Sequence, residues 1–303
     1  MEQASMTALV SAFARAYHAK IEGVKVFDDS MAEALFTKEE YRQIADTMAA
    51  GIGFFHPGFL GDRREALRWI VDHQLSPSPL GRSAFAEEAL GTAARMGAGQ
   101  YLILAAGYDT FAYRQPEWAG RLTVFELDHP DTAADKRERL HRAGVALPSN
   151  VRFVPADFTA EDWQAALPRE DGFSPETVSF CSLLGFCYYL EKEQLAKMLF
   201  ALAGILSPGS TLVFDYPDRD HDFGGAGRRQ AMLAQEAGEA MCAGYSYREM
   251  ERLLSDSGFL IYEHLRPREI TGRYFAPYNV RHPGHPLAAF PGVNYCLAVR
   301  QPF

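Results

Sequence analysis

The sequence predicts a doubly wound α/β protein: a seven-stranded, mostly parallel sheet with helices on both faces and a helical N-terminal extension. Three observations carry this. Residues 1–98 place apolar residues at helical spacing and show no strand pattern. From residue 100 onward, short continuous apolar runs alternate with amphipathic stretches, as strands buried by helices on both faces do. Seven runs of strand length can be read between residues 100 and 300.

The elements follow in order. Ser30–Phe36, Thr37–Ala50 and Arg63–Gln74 carry helical apolar spacing, and Thr37 with Glu40 forms a capping-box pattern. Ala49–Gly61 is Gly- and aromatic-rich and reads as a loop. Ser76–Gly81 reads as another, its prolines stopping the preceding helix, with a helix resuming over Ser83–Met96. The strand series is QYLILAA (100–106), LTVFELD (122–128), VRFVPAD (151–157), TVSFCSLL (177–184) and STLVFDYP (210–217). A helix is expected after each of the first four. A polar Gly-rich loop (Asp218–Gly227), a helix to about Met241 and a helix over Tyr247–Ser255 come next. FLIYEHL (259–265) and VNYCLAVR (293–300) supply the last two strands, separated by an aperiodic Pro- and aromatic-rich segment, Arg266–Pro291. The organisation expected is a helical cap over 1–98 that is not independent, and an α/β domain over 99–303 with a lid insertion at about 218–250.

Composition narrows the function. The 303 residues are 48% hydrophobic and 23% charged, an ordinary globular balance. A net charge of -9 repels phosphate backbones and anionic lipid surfaces, which argues against nucleic-acid and membrane partners. The N-terminus lacks the marks of a secretory signal, and the longest mostly apolar run, Val178–Leu190, is too short to span a bilayer. Cys181, Cys187, Cys242 and Cys296 form no CxxC pair, so they read as buried reduced thiols with no metal site, in a cytoplasmic protein. The sequence carries no signal of an oligomeric state.

In an open parallel sheet, ligands bind at the carboxyl ends of the strands where strand order switches. Gly107 follows the first strand and allows a tight turn. Asp128 ends the second, 21 residues later, near the spacing at which an acid accepts from both ribose hydroxyls of an adenosine. Asp157 and Phe158 end the third and suit an adenine amino group and ring. Each has a plainer reading: a turn glycine, or an N-cap for the following helix at Asp128 and at Asp157. Together they point to a nucleoside site. The chain has no GxGxxG there, hence no pyrophosphate cradle, which favours S-adenosylmethionine over NAD.

At these residues the chain resembles the leucine carboxyl methyltransferase-like group of class I S-adenosylmethionine-dependent methyltransferases, which are Rossmann-like. LAAGYDTFAYR (104–114), VFELDHPDTAADKRERL (124–140), FVPADF (153–158), GFCYYLEKEQLAKML (185–199), SPGSTLVFDYP (207–217), GRSAFAEEAL (81–90) and FDDSMAEAL (27–35) carry the likeness, which covers about residues 10–300. It implies an O-methyltransferase acting on a carboxylate or hydroxyl of a small molecule or peptide, with S-adenosylmethionine as cofactor. The second reading is a same-fold cofactor-binding protein with lost or altered catalysis; the third, on the sheet type alone, is an NAD-type dehydrogenase.

The resemblance also implies roles. Arg82 pairs with the cofactor's carboxylate, a contact suited to the guanidinium fork. Ala105, in place of a family Gly, and Gly107 line its amino-acid end. Asp128 takes the ribose hydroxyls, and Asp157 with Phe158 the adenine. Glu126 and Arg114 form a structural ion pair beneath the site. A family Glu is replaced by Leu184, leaving Ser182 or a backbone carbonyl near Leu183 to make its contact. Arg15, His18 and Lys20 are candidates for a basic residue assisting Arg82. A carboxylate acceptor needs no general base; for a hydroxyl, the histidine best placed is His221, ahead of His18, His56, His129 and His264. Tyr188 and Tyr189 border the acceptor pocket or belong to the core, and Phe54, Phe55, His56 and Phe59 offer aromatic surface in the cap.

Overall fold

The computed structural model describes residues 5–160, 162–221, 229, 231–232, 235 and 241–302. At its centre are β1 (Gln100–Leu104), β2 (Thr123–Asp128), β3 (Val151–Pro155), β4 (Ser179–Leu183), β5 (Thr211–Pro217), β6 (Phe259–Leu265) and β7 (Val293–Arg300). They form one sheet in the order β3-β2-β1-β4-β5-β7-β6. Strands β1 to β5 run parallel, and β7 runs antiparallel to both its neighbours. The chain leaves β1 for β2 and β3 on one side and returns through β4 on the other. Strand order therefore reverses between β1 and β4, as in other doubly wound sheets.

The helices are α1 (Met6–Ala19), α2 (Lys38–Ala50), the one-turn α3 (Ile52–Phe55), α4 (Arg63–Ile70), α5 (Pro77–Arg95), α6 (Pro130–Arg142), α7 (Lys192–Ile205), α8 (Tyr247–Asp256), α9 (Pro267–Ile270) and α10 (Ala276–Arg281). Alternate residues of each strand serve opposite cores. Tyr101 and Ile103 of β1 meet Leu80, Phe85 and Leu90 of α5. Leu102 and Leu104 meet Leu195, Leu199 and Leu202 of α7 and Met250 and Leu254 of α8 on the other face. Each such buried side chain contributes about 1.5–3 kcal/mol. A third cluster joins Ala12, Phe13 and Ala16 of α1 to Leu35, Val71, Tyr108 and Leu140, laying the N-terminal layer over the β1 end of the sheet.

The structure corrects several sequence expectations. Pro77 and Pro79 do not end a helix; they open α5. A proline in the first helical turn forfeits no intrahelical bond, and the Leu80 amide reaches the Ser76 carbonyl at 3.1 Å. Ser76 is itself in helical conformation, so a π turn (Val71–Leu75) carries α4 directly into α5. After β1 there is no α-helix but two 3-10 turns, Phe111–Tyr113 and Glu117–Arg121, separated by Pro116. The segment after β3 is likewise 3-10, Trp163–Arg169, with Pro168 inside it. Ser30–Phe36 shortens to a 3-10 turn over Ala32–Leu35, and the expected Ala49–Gly61 loop contains α3. The segment read as aperiodic is helical: α9, a π turn (Thr271–Phe275) and α10 bury Ile270, Tyr274, Phe275 and Tyr278. Pro267 and Pro277 hid it, again as first-turn prolines. Cys181, Cys187 and Cys296 are buried, but Cys242 is exposed. The loop after Asp218 and the helix to Met241 lie largely outside the described residues. Among the described residues, no helix is long and apolar enough to cross a membrane.

Candidate active site

A cleft opens at the carboxyl ends of β1 and β4, where strand order reverses. The turn after β1 forms its floor, from Leu104 to Asp109. Arg82 and Ser83 of α5 and Ser182 and Leu184 at the end of β4 form walls, and Ala8, Ser11 and Arg15 of α1 cover it.

The floor is made by an unusual backbone. Ala105 has φ +50°, the one described residue other than glycine with positive φ, and Gly107 has φ +49°. This double reversal turns the Gly107 amide toward the end of β2, where it donates to Asp128 Oδ2. Asp128 Oδ1 accepts from the His129 amide at 2.7 Å. Burial raises the Asp128 carboxyl above its ordinary value, while the two amides favour its ionised form. The N-cap alternative does not hold for Asp128, since the His129 ring caps α6 by accepting from the Asp131 amide. A Cβ on Gly107 would stand 3.2 Å from the Ala8 methyl, so α1 closes tightly over this turn.

Arg82 reaches the cleft because α5 approaches the sheet at a glycine. A Cβ on Gly81 would lie 2.5 Å from the Tyr295 hydroxyl of β7. The Arg82 side chain is 16% exposed, and its Nη1 lies 3.4 Å from Oδ2 of the fully buried Asp215 on β5. The same carboxylate accepts from the Gly185 amide at 2.6 Å and from the Tyr188 hydroxyl at 2.9 Å. Gly185 has φ +70°, and a Cβ there would stand 2.6 Å from Arg82 Cζ. The guanidinium therefore lies against bare backbone. Burial is the largest influence on Arg82 and opposes its charge, but Asp215 together with Tyr188, Tyr295 and Tyr189 outweighs it and holds the group protonated. Burial, and then Asp215, keeps the Tyr188 phenol far above its ordinary range, so Tyr188 is a donor.

The expected Glu126–Arg114 pair is not formed. Glu126 pairs with Lys136 of α6 at 2.8 Å, both groups buried. Arg114 instead points to the N-terminal layer, bridging Glu87 of α5 and Asp29. Asp29 is fully buried and also accepts from Arg15 at 2.8 Å and Thr110 at 2.6 Å. Burial alone would raise its carboxyl; Arg15 and Arg114 reverse the sign and lower it. Of the three candidate basic residues only Arg15 reaches the cleft, and it also donates to the Tyr108 carbonyl at 2.7 Å. His18 is buried and accepts from the Val26 amide, and Lys20 pairs with Glu33.

The remaining sequence-picked residues are spread more widely. Asp157 is exposed and binds its own turn through the Thr159 amide and hydroxyl. Phe158 packs between Trp163 and Phe186, with ring centroids 5.0 and 5.3 Å away. The Leu183 side chain lies in the opposite core, so only its backbone could serve a ligand. Ser182 lines the cleft but shares its hydroxyl with Tyr101 at 2.9 Å. His221 is exposed on the turn after β5. Phe54 is exposed and Phe55 buried, while His56 stands edge-on to Phe59 and Trp69. Sequence reasoning missed Asp215. Its one signal is an acid inside an otherwise apolar strand, LVFDY (212–216).

Residues 8–203 match the leucine carboxyl methyltransferase family. The chain belongs to this family. A Bacillus subtilis (strain 168) protein named "Putative S-adenosyl-L-methionine-dependent methyltransferase YktD" is 38% identical over 99% of both chains. A Mycobacterium marinum (strain ATCC BAA-535 / M) protein named "Putative S-adenosyl-L-methionine-dependent methyltransferase" is 33% identical over 70% of this chain and 66% of its own. Two solved structures share the fold. A Thermobifida fusca YX protein superposes with TM-score 0.57 at 17% identity, covering 99% of this chain and 96% of its own. A DUF574 family protein of Streptomyces avermitilis also gives 0.57 at 15% identity, over 84% and 97%. The leucine carboxyl methyltransferase relationship makes this chain an S-adenosylmethionine-dependent methyltransferase. The cleft fits that cofactor chemically. It offers a fixed cation at Arg82 for a carboxylate and bare backbone at Gly107 where a ligand must come close, and the Asp128 carboxylate, an acceptor suited to hydroxyls, is bound to the Gly107 amide of that floor.

Proposed function

We propose that the chain transfers a methyl group to an oxygen, a carboxylate or a hydroxyl, of a small molecule or peptide. The observation that supports this reading most is the cleft itself, which carries the Arg82 cation on one wall and the Asp128-bound turn on its floor. When bound, S-adenosylmethionine supplies a methyl already activated on a sulfonium. The protein's task is then alignment and exclusion of water. In this reading Arg82 donates to the cofactor's carboxylate, and Ala105 and Gly107 pass beside its amino-acid end with the Leu183 carbonyl. Asp128 accepts from the ribose hydroxyls. Asp157 takes the adenine amino group, and Phe158 lies against the ring.

Proton bookkeeping supports a carboxylate as the acceptor. Tyr188 is held protonated and donates to Asp215, so it offers no base. Among the described residues, no histidine lines the cleft. Both facts favour an acceptor that arrives ionised, as a carboxylate does at neutral pH. For a hydroxyl acceptor, His221 is the base this reading would use.

Calorimetric titration with S-adenosylmethionine tests the site. Asp128→Ala should weaken binding about 10- to 100-fold, the loss expected for hydrogen bonds to a charged acceptor. Unchanged affinity would remove Asp128 from the site. Transfer of a labelled methyl group to pooled carboxylic acids and phenols then tests the acceptor. A methyl ester releases its label in alkali; a methyl ether does not.

A further inference from the structure

We propose that Asp215 is a positioning residue for methyl-donor binding: it locks the Arg82 guanidinium against the Gly185 peptide so that its free edge faces the cleft. The proposal rests on the placement of Arg82 at the donor's carboxylate given above.

Asp215 is 0% exposed in the middle of β5, flanked by Phe214 and Tyr216. A buried carboxylate is expensive unless several donors satisfy it. Three do, from three different elements: the Arg82 guanidinium of α5, the Gly185 amide after β4, and the Tyr188 hydroxyl beyond it. Arg82 lines the cleft, and Gly185 directly follows Leu184, which also lines it. The carboxylate is thus spent on fixing one cleft wall.

The geometry is specific to a fork. Asp215 engages Arg82 through Nη1 at 3.4 Å, one of the five N–H donors that an arginine carries. Gly185 presents no side chain, and any Cβ there would collide with the guanidinium plane. Asp215 therefore pulls the group down from one side while the Gly185 backbone supports its face. An arginine held this way loses little side-chain freedom on binding a carboxylate. Leu184, beside it, supplies no charge. The acid that governs this wall therefore comes from β5, beneath the cleft, and not from its rim.

The test separates positioning from bulk structure by using two ligands. S-adenosylhomocysteine carries the amino-acid end; 5′-methylthioadenosine lacks it. Both are titrated calorimetrically into the full chain, wild type, Asp215→Asn, Arg82→Gln and the double variant. The expected result is a loss of about tenfold or more for S-adenosylhomocysteine in Asp215→Asn, with 5′-methylthioadenosine within about twofold of wild type. The double variant should bind no more weakly than Arg82→Gln alone, because Asp215 acts through that arginine. Equal losses for both ligands, unchanged S-adenosylhomocysteine binding in Asp215→Asn, or fully multiplicative losses in the double variant would overturn the proposal. Unchanged binding in Arg82→Gln would overturn the placement of Arg82 itself. If near-ultraviolet circular dichroism shows Asp215→Asn unfolded, Tyr188→Phe takes its place, keeping the carboxylate but removing one tether. It should weaken S-adenosylhomocysteine about threefold and spare the smaller ligand; equal effects on both would count against the proposal.

Discussion

Ala105 bears a conformational load that glycine would not. The left-handed region costs an alanine about 1–2 kcal/mol, and glycine gives back about 0.4–1 kcal/mol of that through its freer unfolded chain. Ala105→Gly should therefore leave the protein as stable or up to about 1.5 kcal/mol more so, read from urea midpoints at constant slope. A clear loss would mean that the methyl group contributes packing that outweighs the strain. His18 gives a pH signature. It is 1% exposed, and burial first, then Lys25, lowers its pKa from 6.5 to about 4. Below pH 6.5 the unfolded chain binds a proton that the folded chain refuses until about pH 4. Stability from neutral His18 is thus whole above pH 6.5, falls as the pH drops and is gone below 4. The full effect is about 3 kcal/mol. Urea unfolding of wild type and His18→Gln from pH 7.5 to 4 should diverge by about that amount, and parallel curves would contradict the assignment. At this scale the sequence revealed glycines and acids at strand ends, because local spacing places them there. It could not reveal Arg114 choosing Asp29 and Glu87 over Glu126, because that choice depends on how the N-terminal layer docks.

Strands were the most legible elements, since a run buried on both faces must be continuously apolar, and all seven appear where the pattern put them. Capping was equally legible. Thr37 Oγ1 accepts from the Glu40 amide at 3.1 Å, and Glu40 returns a bond to the Thr37 amide at 2.7 Å. Thr37→Ala should cost about 1 kcal/mol by urea unfolding, as removal of a capping side chain does. No change would mean that α2 is held by packing alone. Prolines were the weak point. The same residue that breaks a helix interior is at home in its first turn, and only the chain before it decides which applies. At Pro77 and Pro267 the preceding residue sits at a helix start, so the helices that place Arg82 and bury Ile270 were read too short or not at all. The 3-10 turns after β1 show the reverse error, where a crossover was expected to need a full helix.

Across the whole molecule, the sequence-predicted cap over 1–98 and the sheet domain after it do not part cleanly. α5 belongs by number to the cap, yet Leu80, Phe85 and Leu90 fill one face of the sheet. A chain starting at residue 99 should therefore fail to fold, showing no near-ultraviolet dichroism and no cooperative melt. A folded fragment would show that the sheet can close that face alone. The location of the cleft was legible from topology, because strand-order reversal dictates it. Its roof of Ala8, Ser11 and Arg15 was not, since no local pattern says which distant helix will cover a turn. Asp29 carries a consequence for inheritance. Its carboxylate is shared by Arg15, some fourteen residues earlier, and Arg114, far later in the chain. Any genetic exchange between relatives with a breakpoint between positions 30 and 110 brings this acid from one parent and one of its arginines from the other. Hybrids that inherit unmatched partners would leave this buried network one charge out of balance. The node should therefore descend as a unit, its members changing together or not at all.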